Sequence, residues 1–115
     1  MNSVRLLFTL FILSVLQSAV LAQSQGDSGT YAKINGAEIW YQVKGQGDPI
    51  VLIPGGPGDS HLYFTPWFDQ LAQNHMVIYY DAFGRGKSSR AKNKEEYSFQ
   101  RDVDDLEGLR KALGL

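Results

Sequence analysis

Residues 50–89 read IVLIPGGPGDSHLYFTPWFDQLAQNHMVIYYDAFGRGKSS, and this stretch decides the fold. Ile50 to Ile53 is a continuous apolar run of the kind found in strands covered on both faces. It stops abruptly at Pro54-Gly55-Gly56-Pro57-Gly58. Thr65-Pro66 has the form of an N-cap followed by proline at the first helical position. A short helix is therefore expected as far as Asn74, with Trp67, Phe68 and Leu71 as its apolar side. Met76 to Tyr80 is a second buried-type strand, ending in the turn at residues 81–88 (DAFGRGKS).

Upstream, residues 31–34 and 38–43 are two short runs rich in Tyr, Trp, Ile and Val. They are separated by Asn35-Gly36, a strong two-residue hairpin signal. Downstream, Ser98 is placed to cap a helix on which Phe99, Val103, Leu106, Leu109 and Leu113 form one stripe at 3.6-residue spacing. Asp102, Asp104 and Asp105 come early in that helix, Arg110 and Lys111 late, and Gly114 is the stop. An antiparallel hairpin followed by strand, helix, strand, helix predicts an α/β domain with a mostly parallel sheet and right-handed crossovers. Such a sheet needs both faces covered and its edges paired, so the sequence reads as the incomplete N-terminal portion of a larger domain.

Composition narrows the chemistry. The 115 residues carry 11 Lys+Arg against 12 Asp+Glu, 43% apolar residues and no Cys. That excludes disulfides, thiolate nucleophiles and Cys-type metal sites, and it gives no electrostatic footprint for nucleic acid. Residues 1–22 have one positive charge at Arg5, an apolar run over residues 6–20 and a small residue at Ala22, which together read as a secretory signal peptide. A helix of that run would be about 22 Å long, short of the roughly 30 Å hydrocarbon core. Cleavage after Ala22 would leave 93 residues. The expected location is secreted or periplasmic, with no membrane association after cleavage. Residues 23–30 (QSQGDSGT) form a polar, flexible lead-in, and residues 31–115 the partial domain.

Several residues could carry chemistry. Glycines after a buried strand let backbone approach a ligand closely, and the Gly55 or Gly56 N–H could hold an oxyanion, although the same five residues also suit a plain tight turn. Gly86-Lys87-Ser88 nearly matches a phosphate-binding loop, but Asp81 stands in place of the first glycine and no amphipathic helix follows directly. The two histidines are weak candidates for a general base. His61 follows the Gly-rich turn, where a solvated or packed role is favoured over bracing the loop or facing substrate, and His75 reads as a surface residue. No G-x-S-x-G occurs, and no His/carboxylate spacing suggests a metal.

The order of these motifs, with YSFQRDVDDLEGLRKALGL after them, resembles the N-terminal part of the α/β-hydrolase fold. The resemblance is nearest to the prolyl aminopeptidase (proline iminopeptidase) group. It implies a serine hydrolase acting on short peptides, with no cofactor, and with Gly56 and its neighbour Gly55 in the oxyanion hole. Asp81, Gly84, Gly86 and Ser88 would be a structural turn that takes no part in catalysis. Pro54 departs from the family, which has His there. The nucleophilic Ser, the acid and the general-base His would lie beyond Leu115, so these residues alone should be inactive. The alternatives are an esterase or epoxide hydrolase of the same fold acting on small substrates, and a small secreted binding module using the Gly-rich loop with Tyr63, Phe64 and Trp67.

Overall fold

The computed structural model describes residues 28–56 and 58–115. The proposed signal peptide and most of the polar lead-in lie outside the described residues. Four strands, β1 (Thr30–Ile34), β2 (Ala37–Lys44), β3 (Asp48–Leu52) and β4 (His75–Tyr80), form one mixed sheet in the order β1-β2-β4-β3. β1 and β2 are antiparallel, with Ile34 opposite Ala37. Asn35 and Gly36 both take positive φ at the tip, as a two-residue turn of this hand requires.

β4 lies between β2 and β3, antiparallel to the first and parallel to the second. Only one of the three pairings is parallel, fewer than the sequence suggested, because the N-terminal hairpin contributes both antiparallel neighbours. β4 is one of the two interior strands, and Val77 to Tyr80 are all buried. β3 was expected to be covered on both faces. Among the described residues it is an edge strand, so Ile50 and Val51 are only partly covered and Ile53 just beyond it is 56% exposed.

Alternation along β2 and β4 divides the core in two. Ile39 and Tyr80 face one side with Ile34, Ala82, Phe83 and Leu109, while Trp40, Val77 and Tyr79 face the other with Leu52 and Phe64. Helix α1 (Phe99–Ala112) covers the first side. Its N-terminus is capped as expected, the Ser98 hydroxyl accepting from the Arg101 N–H at 3.0 Å. A Cβ on Gly108 would stand 2.4 Å from Ile34 Cγ2, so the absence of a side chain there is what lets α1 close onto β1.

The apolar stripe on α1 is only partly used. Leu109 is buried and Leu106 and Leu113 pack at the margin, but Phe99 is 92% and Val103 60% exposed. The buried face is rotated toward Asp105, whose carboxylate is engaged by Arg101 Nε at 2.7 Å and by Asn35 Nδ2 at 2.8 Å.

The second side is covered by residues 61–73, where the single helix expected from Thr65 to Asn74 does not form. Two 3₁₀ turns, His61–Tyr63 and Asp69–Gln73, take its place, joined through i→i+3 bonds such as Asp69 N–H to Pro66 O. Trp67 and Phe68 are exposed, so no apolar face favours a regular α-helix. The turns are held by polar contacts instead. Asp69 accepts from the Tyr79 hydroxyl at 2.6 Å and pairs with Lys44 at 3.0 Å.

Candidate active site

Because β3 and β4 are parallel neighbours, the loops that follow them leave the sheet at the same end, side by side. The first begins with Pro54-Gly55-Gly56. Gly55 and Gly56 are exposed, and neither N–H is engaged by a backbone carbonyl of the described residues. Gly56 takes φ +68°, a conformation that other L-residues adopt only at a cost. Both residues are thus exposed, on a loop that at Gly56 favours glycine.

The second loop is organised by Asp81, which is completely buried. One carboxylate oxygen accepts from the His61 N–H at 2.7 Å and the other from the Lys87 N–H at 2.8 Å. The His61 ring completes the arrangement, with Nδ1 2.9 and 3.0 Å from the two oxygens. Ser88 donates its hydroxyl to the Asp81 carbonyl at 2.5 Å and accepts from the Trp40 N–H at 2.9 Å. Gly86 is left-handed at φ +48° and abuts the Asp81 carboxylate so closely that a Cβ would collide with it. Gly84, also left-handed, faces the Tyr97 ring. The Ser88 hydroxyl and the Lys87 and Ser88 N–H groups of the near-match to a phosphate loop are thus spent inside the turn, and residues 89–93 form no helix.

The structure brings His61 and Asp81 together from positions 20 residues apart. His61 is a packed histidine and also a brace. Its ring centroid lies 4.1 Å from that of Trp40, and Lys87 Nζ stands over the Trp40 ring, 4.6 Å from its centroid. The separation in sequence hides the pairing, yet one signal was available: the two loops follow consecutive parallel strands. His75 sits at the start of β4, at the opposite end from Asp81 and away from the site. Phe64, a candidate ligand contact on sequence grounds, belongs to the core under β4, whereas Tyr63 and Trp67 are exposed. Among the described residues no group of three or more His, Asp or Glu side chains could hold a metal.

A mixed sheet with a Gly-rich loop after β3 and an Asp-centred turn after β4 agrees with the family profile of the alpha/beta hydrolase fold, which matches residues 48–115. The chain belongs to the α/β-hydrolase fold family. Within that family it is similar to the proline iminopeptidase of Saccharolobus solfataricus, 38% identical over 86 residues, covering 72% of this chain and 28% of the relative. It is likewise similar to the proline iminopeptidase of Lactobacillus helveticus, 41% identical over 86 residues, covering 70% of this chain and 29% of the relative. Among solved α/β hydrolases, an epoxide hydrolase from Vigna radiata superposes with a TM-score of 0.70 at 19% identity, covering 76% of this chain and 29% of that one, a likeness of fold alone. The chain spans less than a third of the length of these relatives.

Proposed function

We propose that these residues supply the oxyanion side of a secreted or periplasmic serine hydrolase of the proline iminopeptidase type, acting on short peptides with an N-terminal proline or other small apolar residue. The observation that carries the reading is the 41% identity to a proline iminopeptidase over 86 residues, the span that contains the Gly55-Gly56 loop. In this reading a serine alkoxide attacks the peptide carbonyl, and the tetrahedral oxyanion is held by the Gly56 N–H, with Gly55 beside it and a second donor from the nucleophile's own turn. Asp81, Gly84, Gly86 and Ser88 keep the neighbouring turn in shape, and His61 fastens the oxyanion loop to it. The serine, its acid and its general base come from sequence outside residues 1–115, and residues 1–22 direct export and are then removed. No cofactor takes part.

The test is hydrolysis of prolyl 4-nitroanilide by the protein isolated at its native length. Cleavage abolished by a serine-directed phosphonate is expected. Turnover of a neutral ester or an epoxide with no release of an N-terminal amino acid would overturn the peptidase reading in favour of another hydrolase of this fold.

A further inference from the structure

Between Asp81 and Glu95 the chain carries Arg85, Lys87, Arg90, Lys92 and Lys94 and no acidic residue. The fold uses two of these cations. Arg85 makes a double hydrogen bond to Asp102, at 2.9 Å in each arm, and Lys87 stands over the Trp40 ring. Arg90, Lys92 and Lys94 have no carboxylate partner among the described residues. Arg90 and Lys92 line a cavity of about 380 Å³ together with Arg101, Ser89 and Phe83, and Glu96 is the only carboxylate in its lining.

Both guanidiniums of this cavity are held in place. Arg90 donates through Nη1 to the Gly84 carbonyl at 2.8 Å and through Nη2 to the Gly86 carbonyl at 3.1 Å. Arg101 donates through Nε to Asp105 at 2.7 Å and through Nη2 to the Asn35 carbonyl at 3.3 Å, with its guanidinium carbon 4.1 Å from the Phe83 ring centroid. A carbonyl orients a guanidinium but carries no net charge, so the Arg90 cation is fixed without being neutralised. Each guanidinium keeps N–H groups to spare, at Nε of Arg90 and Nη1 of Arg101. Ser89 adds a hydroxyl whose oxygen accepts from the Glu38 N–H at 2.9 Å, which leaves its proton for an outside acceptor.

We propose that this cavity is a binding site for a phosphate group. Guanidinium, ammonium and hydroxyl donors gathered around a single carboxylate suit an anion with more than one charge and several acceptor oxygens, and the guanidinium fork matches the spacing of phosphate oxygens. Donors already held in position cost less to order when the anion arrives. The phosphate is held by side chains, whereas the Lys87 and Ser88 N–H groups of the phosphate-loop near-match are taken by Asp81 and Arg85. The site stands independently of the peptidase reading. Its phosphate comes either from a free anion or from a lipid headgroup.

The test has two arms, both on the native-length protein. In the first, inorganic phosphate is titrated in by calorimetry at constant ionic strength, with chloride as the balancing anion. In the second, the protein is sedimented with phosphatidylcholine vesicles with and without phosphatidic acid. Saturable phosphate binding is expected, with Kd raised about tenfold by Arg90→Gln and by Lys92→Gln, the loss of one charge-assisted contact each, and unchanged by Lys111→Gln on the last turn of α1. Sedimentation that requires phosphatidic acid and is lost in the same two variants, with no heat from free phosphate, would assign the site to a lipid headgroup. Lys92→Gln is the deciding variant, because the Lys92 side chain bonds to none of the described residues and its loss leaves the turn intact, whereas Arg90 also holds the Gly84 and Gly86 carbonyls. No binding in either arm, binding unaffected by Lys92→Gln, or an equal loss in Lys111→Gln would overturn the proposal.

Discussion

Replacing His61 with alanine removes the ring that joins the segment after the Gly-rich loop to the turn after β4. The ring contributes one hydrogen bond to a buried carboxylate, worth about 1.5–3 kcal/mol, and an aromatic contact with Trp40 worth about 0.5–1.5 kcal/mol. Asp81 would still accept from the His61 and Lys87 backbone N–H groups, so its charge would not be stranded. The expected loss is therefore about 3 kcal/mol and not the larger penalty of an orphaned buried ion. Asp81→Ala should be worse, because it leaves two N–H groups and the His61 Nδ1 without their acceptor. The chain has two tryptophans, Trp40 at 3% exposure and Trp67 at 75%. In protein labelled with fluorotryptophan, the fluorine resonance of Trp40, assigned with a Trp40→Phe variant, follows urea unfolding beside the brace, since Trp40 touches His61 directly. A loss under about 1 kcal/mol for His61→Ala, or an Asp81→Ala variant no less stable than it, would mean that the His61–Asp81 pair does not hold the turn.

Three further outcomes follow from the same contacts. Gly86→Ala should unfold at distinctly lower urea concentration than Gly36→Ala, since both are left-handed but only Gly86 meets the buried Asp81 carboxylate. On α1, Leu109→Ala should cost about 2–5 kcal/mol, while Phe99→Ser should change stability by no more than about 0.5 kcal/mol, because Phe99 stands in solvent; equilibrium denaturation of the pair checks this. In base, burial first and Asp102 second push the Tyr80 hydroxyl up to about 12, and burial pushes Tyr79 higher still. Their neutral forms are favoured by the fold, so stability should be level below pH 10 and fall as pH rises from 10 toward 12. A pH series of urea midpoints that stays flat across that window would contradict the burial of both rings.

Much of the site was legible before any tertiary information. Pro54 to Gly58 after an apolar run announced the end of β3, and Asn35-Gly36 announced the hairpin, because glycine and asparagine act through their own local φ/ψ preferences. Ser98 is legible for the same reason, since a cap acts within three residues. The residues that misled did so where packing overrides periodicity. Thr65-Pro66 has the form of a helix start, but residues 65–74 offer too little buried surface to hold an α-helix, and the polar contact of Asp69 with Tyr79 and Lys44 sets the turns instead.

The succession of strands along the chain, the Gly-rich loop, the capped helix and the family are readable from the amino-acid types alone, since each rests on contacts within a few residues or on a pattern of types. Which histidine is buried and which part of the α1 stripe is core depend on the assembled fold. The physical reason is distance along the chain. His61 and Asp81 are 20 residues apart, and Asn35 and Asp105 are 70, so their pairing depends on the parallel alignment of β3 with β4 and on the seating of α1 against β1. The rotation of α1 follows from Gly108, whose missing side chain lets Ile34 in and turns Phe99 and Val103 outward.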